Sequence, residues 1–265
     1  MYLRTFRVLE DKEYKNKYPL NLKLFENTDT ICFNSPLTII MGDNGSGKST
    51  LIKLIAEKLN AVKLSNSSND TVTDRLIKDA ADKIKISMNS IPKKKLLFQG
   101  EDFNHYLNQL NGFKEDALTS LSEIETQYDH RSNYSRKLAR LPHERSLAEI
   151  NTLYDNELDR LSHGQSFLEF FSKRISDNGL FIIDEPEAAL SMENQLVFLN
   201  ILSKSIGCNS QIIISTHSPI IAAYPDAQIL EIKNDEITEV KYEDISSINF
   251  LKSFLENKEY YLRYL

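Results

Sequence analysis

The hydrophobic residues of this chain fall into short apolar runs that predict buried strands. Residues 180–183 and 211–215 form continuous apolar runs, a pattern typical of parallel strands buried on both faces. Residues 20–25 instead alternate apolar and polar side chains, which predicts a half-buried strand. Further strands are predicted at residues 1–8, 38–41, 84–87 and 95–98, and a hairpin at residues 226–240 around Asn234 and Asp235.

Helical patterns separate these predicted strands. Apolar residues at helical spacing predict helices at residues 49–59 and 73–83, and a polar helical region at about residues 103–160. The tail from Asp244 is also predicted to be helical. Strands that alternate with helices indicate an α/β fold. A length of 265 residues with 41% hydrophobic residues suits a single domain, residues 1–265, with a sizeable core.

The most specific motif is Gly-x-x-x-x-Gly-Lys-Ser at residues 42–49, between a predicted strand and a predicted helix. Its glycines let backbone N–H groups point at a polyphosphate, and the start of the next helix favours the same anion. Lys48 supplies a cation for the β- and γ-phosphates, and Ser49 a hydroxyl ligand for Mg²⁺. The alternative is a glycine-rich turn without a nucleotide. The residues expected to bind the nucleotide are Asn44, Gly45, Ser46, Gly47, Lys48, Ser49 and Thr50.

An acidic pair, Asp184 and Glu185, follows the apolar run at residues 180–183. A carboxylate at the end of a parallel strand lies beside a phosphate loop in this architecture. Asp184 can then hold Mg²⁺, often through water, and Glu185 can act as general base towards the attacking water. The alternative is that the two acids only end a strand.

A third segment, Leu-Ser-His-Gly-Gln at residues 161–165, precedes an amphipathic helix. A serine and a glycine at a helix start can offer a hydroxyl and backbone N–H groups to a phosphate. Taken alone, this segment is equally well explained as an ordinary helix cap.

Together these segments resemble the motifs of the ATP-binding-cassette (ABC) ATPases. Residues 161–165 match the signature loop of that family, Gln99 matches its glutamine loop, and His217 matches its switch histidine. Residues 188–191 match the D-loop, with Ser191 where the family usually has aspartate. The resemblance implies a P-loop NTPase fold of ABC type, with an N-terminal antiparallel sheet and a helical lobe inserted at about residues 103–160.

The resemblance also implies a mechanism. ATP and Mg²⁺ would be bound, with Ser49, Gln99 and Asp184 near the metal and Glu185, His217 and Gln99 catalytic. Two copies would pair head to tail, so that Ser162, Gly164 and Gln165 contact the nucleotide of the partner copy. Hydrolysis would loosen this homodimer, and Ser191 weakens the expected contact between its two sites.

Other details favour the soluble branch of the family. Thr-His-Ser-Pro at residues 216–219 resembles DNA-maintenance ATPases, and residues 162–166 and 184–191 resemble small bacterial proteins described as AAA-family ATPases. This branch implies a protein that acts on nucleic acid or an effector protein, in DNA maintenance or antiviral defence, without a membrane. The alternatives are the ATPase subunit of a membrane ABC transporter and a non-hydrolysing module that ATP merely clamps.

Composition adds weaker constraints. The net charge of −6 argues against general coating of nucleic acid, and no stretch approaches the length of a membrane span. The two cysteines, Cys32 and Cys208, are expected to be buried free thiols, which predicts a cytoplasmic protein. The basic cluster at residues 131–145 is either a patch for nucleic acid or an acidic protein, or a solvated helix face. Arg4, Tyr14 and Tyr18 are the candidates for contacting adenine.

Overall fold

The computed structural model describes residues 1–9, 16–28, 30–64, 71–154, 162–175 and 177–263. Its strands are β1 (Leu3–Val8), β2 (Thr30–Cys32), β3 (Leu37–Gly42), β4 (Val62–Lys63), β5 (Ile84–Met88), β6 (Lys94–Gln99), β7 (Gly179–Asp184), β8 (Gln211–Ser215), β9 (Gln228–Lys233) and β10 (Glu236–Val240). Its helices are α1 (Lys23–Asn27), α2 (Lys48–Lys58), α3 (Val72–Ala81), α4 (Phe103–Gln127), α5 (Asn133–Tyr154), α6 (His163–Arg174), α7 (Met192–Gly207), α8 (Pro219–Ala222), α9 (Ser246–Glu256) and α10 (Lys258–Leu262). Two 3-10 turns, Pro186–Ala189 and Tyr242–Asp244, complete the described elements.

The larger sheet has seven strands in the order β10-β9-β3-β8-β7-β6-β4. All neighbouring strands in it run parallel except β9 and β10, which form the predicted hairpin. Asn234 and Asp235 both take positive φ angles, of 51° and 65°, as a tight hairpin turn requires. The register places Gln99 beside Asp184 and Asp184 beside Ser215, so polar residues of three strands meet at one edge. This confirms the predicted mixed parallel sheet.

The smaller sheet is antiparallel, with the order β2-β1-β5. A buried glutamine of the larger sheet joins it: Gln211 Oε1 accepts hydrogen bonds from the backbone N–H groups of Tyr2 (2.7 Å) and Leu3 (2.8 Å). Its amide also donates to Leu3 O, at 2.9 Å. Gln228 of β9 likewise donates to the carbonyl of Cys32 in β2, at 3.0 Å. The N-terminal antiparallel sheet is therefore confirmed, and buried or half-buried glutamine side chains connect it to the central sheet.

Two hydrophobic clusters lie on opposite faces of the larger sheet. Alternate residues of each central strand enter different clusters: Ile183 belongs to one and Ile182 to the other. The same alternation holds for Ile39 and Ile40. One cluster is rich in phenylalanines from α6, and the other is closed by α2 and the smaller sheet. Apolar residues on both faces explain why these strands are continuous hydrophobic runs.

The predicted helical lobe is built from α4 and α5, which pack against one another; residues 155–160 lie outside the described part. Within it, Arg140 pairs with Glu125 (2.5 Å) and Glu144 (2.8 Å), and Arg136 donates to the carbonyl of Tyr128, at 3.1 Å. These two arginines of the basic cluster are thus held within the lobe, which favours the solvated helix face. In the described residues, no helix is both long and apolar enough to cross a membrane.

Two expectations were wrong. Residues 20–25 are a turn that leads into the short helix α1, because Leu20 and Leu24 are buried at a spacing of four residues rather than two. Cys32 and Cys208 are free but exposed. Cys32 lies on the edge strand β2, whose alternation turns Ile31 inward and its neighbours outward, and Cys208 ends α7 at the surface.

Candidate nucleotide-binding site

The phosphate loop connects β3 to α2 through three glycines with positive φ angles: Gly42 (152°), Gly45 (79°) and Gly47 (98°). A Cβ atom on Gly42 would lie 2.7 Å from the carbonyl oxygen of Ile232, so only glycine fits there. The loop curls around a cavity of about 270 Å³. Its lining comprises Tyr18, Leu22, Asn44, Gly45, Gly47, Lys48, Ser49, Thr50 and Glu185.

Lys48 is buried within this loop. Its ammonium group donates to the carbonyl oxygens of Gly42 (2.8 Å) and Asp43 (2.9 Å), which leaves one of its three N–H groups for another acceptor. Burial lowers the pKa of Lys48, while the nearby carboxylates of Glu185 and Asp184 act in the opposite direction. The Ser46 Oγ atom is buried and makes no hydrogen bond to any described residue. A phosphate oxygen suits both groups.

Asp184 ends β7 as a buried carboxylate. It accepts hydrogen bonds from the hydroxyls of Ser49 (3.2 Å) and Ser215. Burial raises its pKa, and these two hydroxyl contacts partly oppose that rise. The described residues contain no cluster of three or more His, Cys, Asp or Glu side chains suited to a metal. Ser49 and Asp184 nevertheless supply adjacent hard oxygen atoms, which fit Mg²⁺ that also takes oxygens from phosphate and water.

Glu185 takes a left-handed backbone conformation, with φ 47° and ψ 57°. Its N–H group donates to the carbonyl of Ser215, at 3.0 Å, which turns the side chain towards the phosphate-loop cavity. A non-glycine residue in this region carries local strain, a state typical of functional turns. The Glu185 Oε1 atom lies 3.4 Å from His217 Nε2, so the structure brings these two predicted residues together.

Gln99 is brought only partly into this arrangement. The register sets it beside Asp184, but it is absent from the described cavity lining and instead borders a small void with Phe103. The turn after it is tightly packed, because a Cβ atom on Gly100 would lie 2.0 Å from Glu185 O. Among the adenine candidates, Tyr18 lines the cavity, with its hydroxyl 3.4 Å from Thr50 Oγ1. Arg4 does not line it, and Tyr14 lies outside the described residues.

Comparison with known proteins identifies the family. A family model described as ABC transporter matches residues 25–188, and one described as AAA ATPase domain matches residues 165–222. The cytochrome c biogenesis ATP-binding export protein CcmA of Reclinomonas americana is 30% identical over 205 residues, which are 76% of this chain and 81% of that protein. The chain belongs to the family of ABC ATPases.

The chain is also similar to a longer export protein and to a solved SMC head structure. The macrolide export ATP-binding/permease protein MacB of Campylobacter jejuni subsp. jejuni serotype O:23/36 (strain 81-176) is 26% identical over 225 residues. Those residues are 83% of this chain but 32% of MacB, so the chain spans about a third of that relative. A structure of the SmcHead bound to the C-winged helix domain of ScpA has a TM-score of 0.51 at 13% identity, covering 92% of this chain and 99% of that one, and shows the shared fold.

The signature segment of this ABC ATPase forms a helix cap in the described part. The Ser162 hydroxyl accepts from the Gln165 N–H (3.3 Å), and the Gln165 side chain accepts from the Ser162 N–H (3.0 Å). This reciprocal capping box starts α6, while Gly164 packs close to Asn194 of α7. These residues do not line the described phosphate-loop cavity of their own chain, and Leu161 lies outside the described residues. The structure therefore confirms the helix cap, and contact of this segment with a nucleotide stays a prediction.

Ser191 plays the corresponding part at the next helix. Its side chain accepts from the Asn194 N–H group at 3.3 Å and caps α7. Serine and aspartate are both strong N-caps, so the departure from the usual D-loop aspartate preserves the helix start and removes a charge.

Sequence reasoning missed Glu187. Its carboxylate accepts a hydrogen bond from the Thr216 hydroxyl (2.7 Å) and another from the backbone N–H of His217 (2.5 Å). It therefore connects the turn after the acidic pair to the loop that carries the predicted switch histidine. The sequence signal for it was its position, two residues after Glu185.

Proposed function

We propose that this ABC ATPase binds Mg·ATP at the phosphate loop and hydrolyses it. The observation that supports this most strongly is the meeting of Lys48, Ser49 and Glu185 around one cavity, with the Asp184 carboxylate accepting a hydrogen bond from the Ser49 hydroxyl. Lys48 and the loop N–H groups neutralise and orient the phosphates, and Ser49 and Asp184 hold the metal, aided by Gln99. Glu185 accepts a proton from water, and His217 steadies the γ-phosphate. Bound Mg²⁺ supplies Lewis-acid stabilisation of phosphate charge.

The rest of the nucleotide follows from the same cavity. Asn44, Gly45, Gly47 and Thr50 line the cavity together with Tyr18 and Leu22. In this proposal these loop residues and Ser46 enclose the phosphates, and Tyr18 and Leu22 contact the adenine ring. An aromatic ring beside an aliphatic side chain suits a flat base, because stacking buries apolar surface on one face. In this proposal, residues 1–265 act as one ATPase domain with the helical lobe inserted.

ATP also controls assembly in this proposal. Ser162 and Gln165 are exposed and do not border the described cavity of their own chain, which leaves them accessible to a second copy. In this proposal they contact the nucleotide of that copy. Head-to-tail pairing would enclose each γ-phosphate between Lys48 of one copy and the α6 N-terminus of the other. ATP then stabilises a homodimer, and hydrolysis weakens it.

The first test uses Glu185→Gln, which keeps the shape of the side chain and removes the general base. We expect turnover to fall about 100-fold or more and the ATP-bound dimer to persist. Light scattering on a sizing column, with and without Mg·ATP, measures the dimer, and phosphate release measures turnover. Lys48→Ala is the control that loses ATP binding. A Glu185→Gln chain that hydrolyses ATP normally would contradict the role of Glu185; one that stays monomeric with ATP would contradict the dimer.

The output proposed for this cycle is control of a nucleic-acid-linked or effector-protein-linked activity, such as DNA maintenance or bacterial defence, in the cytoplasm. The resemblance of residues 216–219 to DNA-maintenance ATPases supports it. Addition of duplex or single-stranded nucleic acid should then change the ATP turnover of the wild-type chain by several-fold.

A second candidate is the ATPase subunit of a membrane exporter. The similarity to CcmA and MacB, both named as export proteins, favours it. Co-purification with an integral membrane protein from a detergent extract, combined with turnover that does not respond to nucleic acid, would select this candidate over the first. A third reading, in which ATP only clamps the dimer, requires that Glu185→Gln leave biological function intact.

A further inference from the structure

Glu187 is held in a fixed position relative to Glu185. The 3-10 turn that contains it is closed by two backbone hydrogen bonds, from Ala188 N to Glu185 O (3.1 Å) and from Leu190 N to Glu187 O (3.2 Å). The main chain of Glu187 therefore keeps its distance from the acidic pair as long as this turn is closed.

The partners of Glu187 are equally fixed. Thr216 is fully buried, its N–H donates to Ile40 O of β3 (3.1 Å), and its hydroxyl oxygen accepts from Ser218 N (3.0 Å). Ser218 in turn donates to the buried side chain of Gln195, at 2.5 Å. Between these anchors, the His217 N–H has the Glu187 carboxylate as its partner. Hydrogen bonds thus fix the loop at Thr216 and at Ser218, and the hydrogen bond to Glu187 fixes the main chain of His217 between them.

We propose that Glu187 is a positioning residue for ATP hydrolysis, which sets the imidazole of His217 against Glu185 by holding the main chain of His217. The proposal rests on the proposed function, because it acts through His217. A carboxylate suits this position, since two donors converge on it and it offers only acceptor sites. Neither the acidic pair nor the switch histidine can then be displaced alone, because one side chain connects their turns.

The test is a double-mutant cycle with Glu187→Ala, His217→Ala and the double variant. We expect Glu187→Ala to lower kcat about tenfold or more with little change in KM, because a small displacement of a reacting group has a large effect on rate. In the His217→Ala background, the same change should have almost no further effect. Glu187→Gln, which keeps one acceptor oxygen, should give an intermediate kcat and guards against a variant that does not fold.

Glu236→Ala is the matched control, because Glu236 is exposed on β10. This substitution removes the same charge, but away from the site. Hydrogen exchange followed by mass spectrometry supplies a readout that needs no turnover: the segment 216–218 should exchange faster in Glu187→Ala and not in Glu236→Ala.

The outcomes separate this proposal from the proposed function. Additive losses in the cycle, or unchanged exchange at 216–218, would overturn the role of Glu187 while hydrolysis by the wild-type chain stands. A wild-type chain that binds no ATP, or binds it without turnover, overturns the proposed function and removes the reaction that Glu187 is proposed to serve.

Discussion

Single residues at the candidate site are held in locally unfavourable states. Burial raises the pKa of the Asp184 carboxyl group and lowers the pKa of the Lys48 ammonium group. Glu185 takes a left-handed backbone conformation. Each state costs stability that surrounding contacts must offset, such as the serine hydroxyls on Asp184. Such strain is typical of residues kept for chemistry rather than for folding.

Gly100 offers a direct test of the Glu185 turn. Gly100→Ala places a Cβ atom 2.0 Å from Glu185 O, so we expect a loss of about 2 kcal/mol or more in the free energy of unfolding, and slower hydrolysis. The matched variant is Gly112→Ala in α4, where no atom lies within 4 Å of the added Cβ. It should stabilise the chain by about 1 kcal/mol, because alanine favours helix. Urea unfolding measures the free energy of unfolding of both variants. Equal changes in the two variants would contradict the close packing at Gly100.

Asp184→Asn tests the buried carboxylate. The raised pKa means that the charged form is disfavoured in the folded state, so Asn should raise the melting temperature of the nucleotide-free chain at neutral pH. This gain is present above the folded-state pKa and disappears as the pH falls below the ordinary value of 3.8, where aspartate is protonated in both states.

Thermal unfolding between neutral and acidic pH measures the expected gain in stability, and a binding titration with Mg·ATP measures the expected loss in affinity. The same variant should bind Mg·ATP more weakly, because an amide is a poorer Mg²⁺ ligand than a carboxylate. A lower melting temperature at neutral pH would show that the charge stabilises the folded chain.

At the scale of elements, the sequence indicates strands and helix starts well and long-range contacts poorly. The runs at 180–183 and 211–215 are continuous because both of their faces are buried. The prediction of a strand at residues 20–25 was wrong because a six-residue stretch fits both the strand period and the helix period. Only packing against the core distinguishes the two. Glu187 was missed because its role comes from Thr216 and His217, which are distant in sequence.

The two helix caps provide a matched pair of variants. Ser162→Asp and Ser191→Asp both keep a good N-cap, so neither should lower the melting temperature by more than about 1 °C. Ser162→Asp, however, should abolish ATP-induced dimerisation, because its charge would meet the γ-phosphate of the second copy. Ser191→Asp restores the family's usual residue and should leave the dimer intact. If both variants dimerise with ATP, α6 does not face a nucleotide.

At the scale of the whole molecule, the proposed reaction is split between two surfaces. The phosphate-loop cavity and the capped start of α6 are separate sites on one chain, joined through the packing of the α6 phenylalanines beneath the sheet. Sequence motifs give the order of these parts along the chain, but not which faces they occupy. In the proposed dimer, each complete site takes its parts from both copies.

The central strands of the larger sheet also show how pairing can be specified where hydrophobicity cannot specify it. In β7, Leu180, Phe181, Ile182 and Ile183 are all buried, so a slip of one residue would exchange one apolar side chain for another at nearly every position. The end of the strand differs, because a slip in either direction would carry Asp184 away from the Ser215 hydroxyl, and a slip towards Ile214 would place its carboxylate among apolar side chains. The polar residues proposed to bind the metal therefore also specify the register of the strands.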